Sequence, residues 1–191
     1  ALHEVGHTLG LQHNMKASQL HPVNEVHQAS LTEEEGLTGS VMDYPAVNVA
    51  PPGVEQGQYY TTRPGPYDVW AIEYGYTPDA SEDELDSILA RSTEPELAFG
   101  NDADDMRAPG KAIDPRVMVG DMSRESIEYA EGRMELIGEL FGDLREKYED
   151  PGQSYQELRN AFLAVTGQHA QMAAVLSRYV GGIYVDRAFV G

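Results

Sequence analysis

Residues 3–13 read His-Glu-Val-Gly-His-Thr-Leu-Gly-Leu-Gln-His, three imidazoles and a carboxylate at a spacing that suits a divalent metal. On a helix, His3 and His7 lie four positions apart and project from one face, a turn above each other. Two imidazoles so placed both reach a single tetrahedral zinc, at roughly 2.0–2.1 Å. Glu4 follows about 100° around the helix from His3. That sets its carboxylate beside the metal, where it can take a proton from an attacking water. A continuing helix would turn His13 away, so the chain must bend sharply before it. Gly10 is suited to that bend, because glycine adopts positive φ without steric cost and commonly ends helices that way. The expected centre is therefore Zn2+ on His3, His7 and His13, with one position open and Glu4 as general base.

A second motif follows at Ser40-Val41-Met42-Asp43-Tyr44-Pro45, behind the turn-rich Gly36-Leu37-Thr38-Gly39. HExxHxxGxxH followed by a methionine turn resembles the metzincin metalloproteases. The flanks, with Asp68 and Trp70-Ala71-Ile72-Glu73-Tyr74-Gly75-Tyr76, look like a bacterial met-zincin family of large exported proteins. A looser similarity extends through Asp114-Pro115-Arg116. The resemblance implies that Met42 forms a soft, adaptable floor beneath the histidines without binding metal. It implies two roles for Tyr44, an extra zinc ligand or a hydroxyl donor to the oxyanion of the reaction. Asp43 either orients a ligand imidazole or ties down the turn backbone, and the backbone role is preferred. The resemblance further implies a polypeptide substrate and an exported location. It also implies an upstream half-domain bearing a sheet, absent from this chain, whose edge strand would pair with extended substrate.

These residues point to a zinc-dependent metalloendopeptidase. One rival is a zinc hydrolase acting on a non-protein amide or on short peptides. Another is a non-catalytic helical module that keeps a vestigial zinc motif. Glu4 argues against the last, since a structural site needs no general base.

The elements that must hold this centre come from a chain of 191 residues with 41% hydrophobic content, enough for one domain with a core. Its formal charge is −19, from 13 basic and 32 acidic residues, which disfavours binding to a nucleic-acid backbone. No apolar run is long enough to span a bilayer. With no cysteine there is no disulfide. The chain opens two residues before a zinc ligand and without an initiating methionine, which reads as a cut inside a larger protein. An isolated fragment of that kind is expected to bind zinc weakly and cleave poorly, because the zinc helix lacks its first turn and cap.

The expected fold is mainly α with little β, as one domain over 1–191. Residues 1–66 would carry the zinc site and methionine turn, and 67–191 a helical C-terminal subdomain. Residues 14–31 read as loop, with His21 and His27 on the surface. Thr32-x-x-Glu35 reads as the start of a very short helix. Residues 45–66 are rich in proline and glycine, an irregular stretch whose Tyr59-Tyr60 pair packs on the surface rather than in a substrate subsite. A helix is expected from Tyr67 to Tyr74, stopped by Gly75. Another begins at the capping box Ser81-x-x-Glu84 and buries Leu85, Ile88 and Leu89. Asn101–Asp105 lacks the spacing of a calcium loop and reads as solvated. Ile127, Ala130, Met134, Ile137, Phe141, Leu144 and Tyr148 then form a helical stripe. After a turn at 149–153, Ser154-x-x-Glu157 caps a second helix with Leu158, Phe162, Val165, His169, Met172, Leu176 and Tyr179 on one face. Two such helices make an antiparallel hairpin with His169 in its core. Gly181-Gly182 would end it, and 183–190 reads as a strand.

Overall fold

The structure is a computed structural model in which residues 1–105, 113–149, 151–152 and 154–186 are described. It is mainly helical, and the described residues contain no strand. Six α-helices follow in order: α1 (Leu2–Thr8), α2 (Ala29–Glu35), α3 (Pro66–Tyr76), α4 (Glu82–Ala90), α5 (Ser126–Tyr148) and α6 (Gln156–Arg178). No helix among the described residues is long and apolar enough to cross a membrane.

The hairpin of α5 and α6 supplies one wall of the core. Tyr129, Ala130 and Ile137 of α5 meet Met172 and Val175 of α6, and Val26, Leu37, Ala46, Met118 and Met122 close the cluster from the other side. Burial of these apolar faces drives the packing, at about 25 cal/mol per Å² removed from water. The zinc-motif segment therefore reaches the hairpin through the chain between residues 15 and 46, which lies between them.

Local rules place some elements where the sequence puts them. Ser81 caps α4, accepting from the Glu84 amide while the Glu84 carboxylate takes the Ser81 amide at 2.8 Å. Residues 46–65 carry no regular element. Tyr59 and Tyr60 are both exposed.

Several expectations change. The short helix α2 starts three residues before Thr32, which is buried mid-helix with its hydroxyl turned back onto Gln28 O and Ala29 O. A threonine hydroxyl serves an interior carbonyl as readily as a cap. A 3-10 turn, Ala17–Gln19, also interrupts the expected loop. Helix α3 runs through Gly75 to Tyr76 and stops where Pro78 forces Thr77 to extended backbone. Leu89 and Ile127 are exposed rather than buried. Val165, Met172, Leu176 and Tyr179 of the expected α6 stripe pack on the core, but Val175 joins them and His169 is exposed instead of lying in the core. Helix α6 begins at Gln156 with Tyr155 at its cap, and the Ser154 hydroxyl accepts the Gln156 amide at 3.2 Å. His21 is buried rather than on the surface, because its Nε2 bonds Gly36 O at 2.7 Å. Asn101–Asp105 is only partly solvated, with Asp105 buried. Residues 183–186 form no strand, and 187–190 lie outside the described residues, as do 150 and 153 of the expected hairpin turn.

Candidate metal centre

Helix α1 ends in two hydrogen bonds that bend the chain toward a third histidine. Leu11 N bonds Gly6 O at 3.0 Å and Gly10 N bonds His7 O at 3.1 Å, with Gly10 at φ +88°. This is the Schellman arrangement, in which a left-handed residue satisfies the last helical carbonyls and reverses the chain. It brings His13 back over α1. The ring centroids of His3, His7 and His13 stand 4.9 Å, 5.3 Å and 4.9 Å apart, taken as 3–7, 3–13 and 7–13. One candidate ligand atom from each ring lies within 4.8 Å of the others.

The three rings share a hydrogen-bonding pattern that fits a metal. His3 Nδ1 bonds Val41 O at 2.8 Å, His7 Nδ1 bonds Leu11 O at 3.0 Å, and His13 Nδ1 bonds Asp102 Oδ2 at 2.7 Å. Each partner is an acceptor, so each Nδ1 carries the proton and each Nε2 keeps a lone pair. Such outer partners orient metal-bound imidazoles. The His3 Nε2 is also buried with no hydrogen-bond partner, a cost that a metal would remove. The donor set fits zinc.

The methionine turn is fixed from two sides. Asp68 of α3 accepts from Ser40 Oγ, from Val41 N at 2.8 Å and from Gly65 N at 2.9 Å. The same residue 41 then presents its carbonyl to His3, so α3 positions a candidate metal ligand at one remove. Gly65 is required there, since a Cβ would overlap the backbone of Thr38 and Gly39. Met42 is fully buried beneath α1, with its sulfur where a Cβ on Gly6 would lie. Its carbonyl accepts Asn14 N at 3.1 Å, next to His13.

Asp43 is buried, with Oδ2 accepting Ser18 N at 2.7 Å and Oδ1 accepting Tyr44 N at 2.6 Å. Both oxygens thus serve turn backbone. Burial first, and the nearby Asp121 carboxyl second, push the Asp43 carboxyl well above the usual carboxylate range. Tyr44 places its hydroxyl 3.4 Å from His13 Nε2 and its ring 4.6 Å from that of His3. Glu4 and His7 are exposed on α1. Neither His21 nor His27 joins the three-histidine group.

Asp102 is the participant that sequence reasoning missed. Its acidic turn is legible in the sequence, but its partner lies 89 positions away and no local pattern announces the pairing. A ladder of bonds holds that turn against the third histidine. Met15 N bonds Gly100 O at 2.7 Å, Asn14 Nδ2 bonds Ala98 O at 3.0 Å, and Asn101 Nδ2 bonds Gln12 Oε1 at 3.2 Å.

Comparison with known proteins matches the chain to the model of a family described as Met-zincin, over residues 1–191. No curated protein matches, and no solved structure does.

Proposed function

Because the chain belongs to the Met-zincin family, and so to proteins of zinc-metallopeptidase type, we propose that it is an endopeptidase with Glu4 as its general base. The observation that carries this reading is the set of three imidazoles with every Nδ1 hydrogen-bonded and one candidate ligand atom from each ring within 4.8 Å of the others.

His3, His7 and His13 would hold the ion as neutral rings. Bound zinc supplies Lewis acidity, polarising the scissile carbonyl and easing deprotonation of the attacking water. Glu4, exposed and adjacent to His3, receives that proton as the water attacks and returns it to the leaving amine. The Tyr44 hydroxyl, beside His13 yet half exposed, donates to the oxyanion as charge develops. Asp102 and the carbonyls of residues 11 and 41 keep the rings in the tautomer that this chemistry needs. Exposure of Glu4, His7 and Tyr44 leaves room for an extended polypeptide, which favours it over a small amide held in a closed pocket.

Glu4→Gln tests the assignment. The zinc-loaded variant should retain its metal while hydrolysis of a mixed peptide library falls by about 10²-fold or more. A variant that cleaves at the parental rate would remove Glu4 from the reaction.

A further inference from the structure

Away from the zinc motif, a pocket of about 260 Å³ opens between α5 and the chain over residues 23–54. Its wall is mostly apolar, with Val23, Val49, Pro51 and Leu136 among the lining residues, and the polar side chains of Asn24, His27, Glu128 and Arg133 also line it. We propose that this pocket binds a small carboxylate carrying a short apolar tail.

Arg133 is only 7% exposed, and a guanidinium stays charged at any physiological pH. Its bonds are at the outer limit of length, 3.5 Å from Nη1 to Val49 O and 3.4 Å from Nη2 to Gln168 Oε1. Its Nε is buried with no partner. Among the described residues no carboxylate forms an ion pair with it. Glu128, which also lines the pocket, is exposed and solvated. A buried cation without a counter-ion is costly, and folded proteins rarely leave one so.

His27 lines the same wall, and its Nδ1 is buried without a partner. Burial, followed by the Arg133 charge, pushes its pKa below the ordinary imidazole value, so the ring is neutral near pH 7 and does not compete for the anion as a second charge. A carboxylate in the pocket accepts from the guanidinium in place of its long bonds to Val49 O and Gln168 Oε1. The aliphatic lining and the small volume select the rest of the ligand, a branched or straight tail of a few carbons. None of the lining residues belongs to the zinc centre, so this site stands or falls apart from the peptidase reading.

Isovalerate is the probe, followed by NMR of the 191-residue chain, with isovaleramide as its neutral counterpart. Saturable shifts of the Val49 and Leu136 methyls are expected with the acid, and binding at least tenfold weaker with the amide. Arg133→Met should weaken isovalerate binding at least tenfold and raise the thermal midpoint of the ligand-free protein, because it removes an unpaired buried charge. Gly132→Leu provides a second test. Gly132 lines the pocket in a helix, a Cβ there meets no atom within 4 Å, and leucine should plug the space while favouring the helix. No saturable shift with isovalerate, equal binding of the amide, or unchanged binding by both variants would overturn the proposal. A fall in the midpoint of ligand-free Arg133→Met would show a purely structural arginine and overturn it equally.

Discussion

Replacing Asp102 by alanine should weaken zinc binding about tenfold. The Asp102 carboxylate takes the His13 Nδ1–H at 2.7 Å, the length of a charge-assisted bond. Removing such an outer partner typically costs 10–100-fold in metal affinity. The side chains of His13 and Asp102 are 23% and 57% exposed, so water can replace part of the lost bond. That places the effect at the lower end, about tenfold or ~1.4 kcal/mol. Asp102→Asn keeps an acceptor for the ring and loses only the charge, so its loss should be smaller, about threefold. Competition of the protein with a fluorescent chelator measures both values, and thermal melts of the metal-free variants separate affinity from folding. If Asp102→Ala holds zinc within twofold of the parent while His13→Ala loses it, the carboxylate does not orient the ring and the reasoning fails.

Tyr44→Phe should lower kcat by about 10²-fold, the effect of losing one preorganised oxyanion donor, with KM and zinc content unchanged. Loss of zinc in place of kcat would make the hydroxyl a ligand. Gly65→Ala should destabilise the fold by about 3 kcal/mol, the upper end of overpacking, because the new Cβ meets the backbone of Thr38 and Gly39, which cannot rotate away. A urea midpoint equal to that of the parent would refute that close approach. Asp121 is fully buried, and burial raises its carboxyl to about 7 from the usual carboxylate value near 4. The folded state thus holds a proton that the unfolded chain releases. The stability from that proton is whole below about pH 4 and is lost as pH rises through 7, by at most ~1.4 kcal/mol per pH unit. The buried Asp43 beside it is raised as well and shares this slope, so Asp121→Asn should reduce it in chemical denaturation, and an unchanged slope would mean that Asp121 carries none of it.

The zinc motif and the hairpin are legible in the sequence because each rests on short-range spacing. His3, His7 and Gly10 sit on one helical turn and its stop, and the heptad stripe of α5 needs only neighbours three and four apart. Ser81 announces α4 for the same reason. What stays hidden is set by partners far along the chain. Asp102 meets His13, Asp68 holds Ser40 and Val41, and His21 is buried by Gly36, none of which a window of twenty residues reveals. The α6 face shows the same limit from another side. Val165, Met172, Leu176 and Tyr179 of the expected stripe pack on the core, yet Val175 joins them and His169 does not, which three-and-four spacing alone does not decide. Thr32 shows that a good capping residue also fits inside a helix when its hydroxyl finds a carbonyl.

X-ray absorption at the zinc edge of the metal-loaded protein tests the centre most directly. One ion per chain is expected, with three imidazole nitrogens at about 2.0–2.1 Å and an oxygen completing the shell. A shell of two imidazoles, unchanged in His13→Ala, would contradict it.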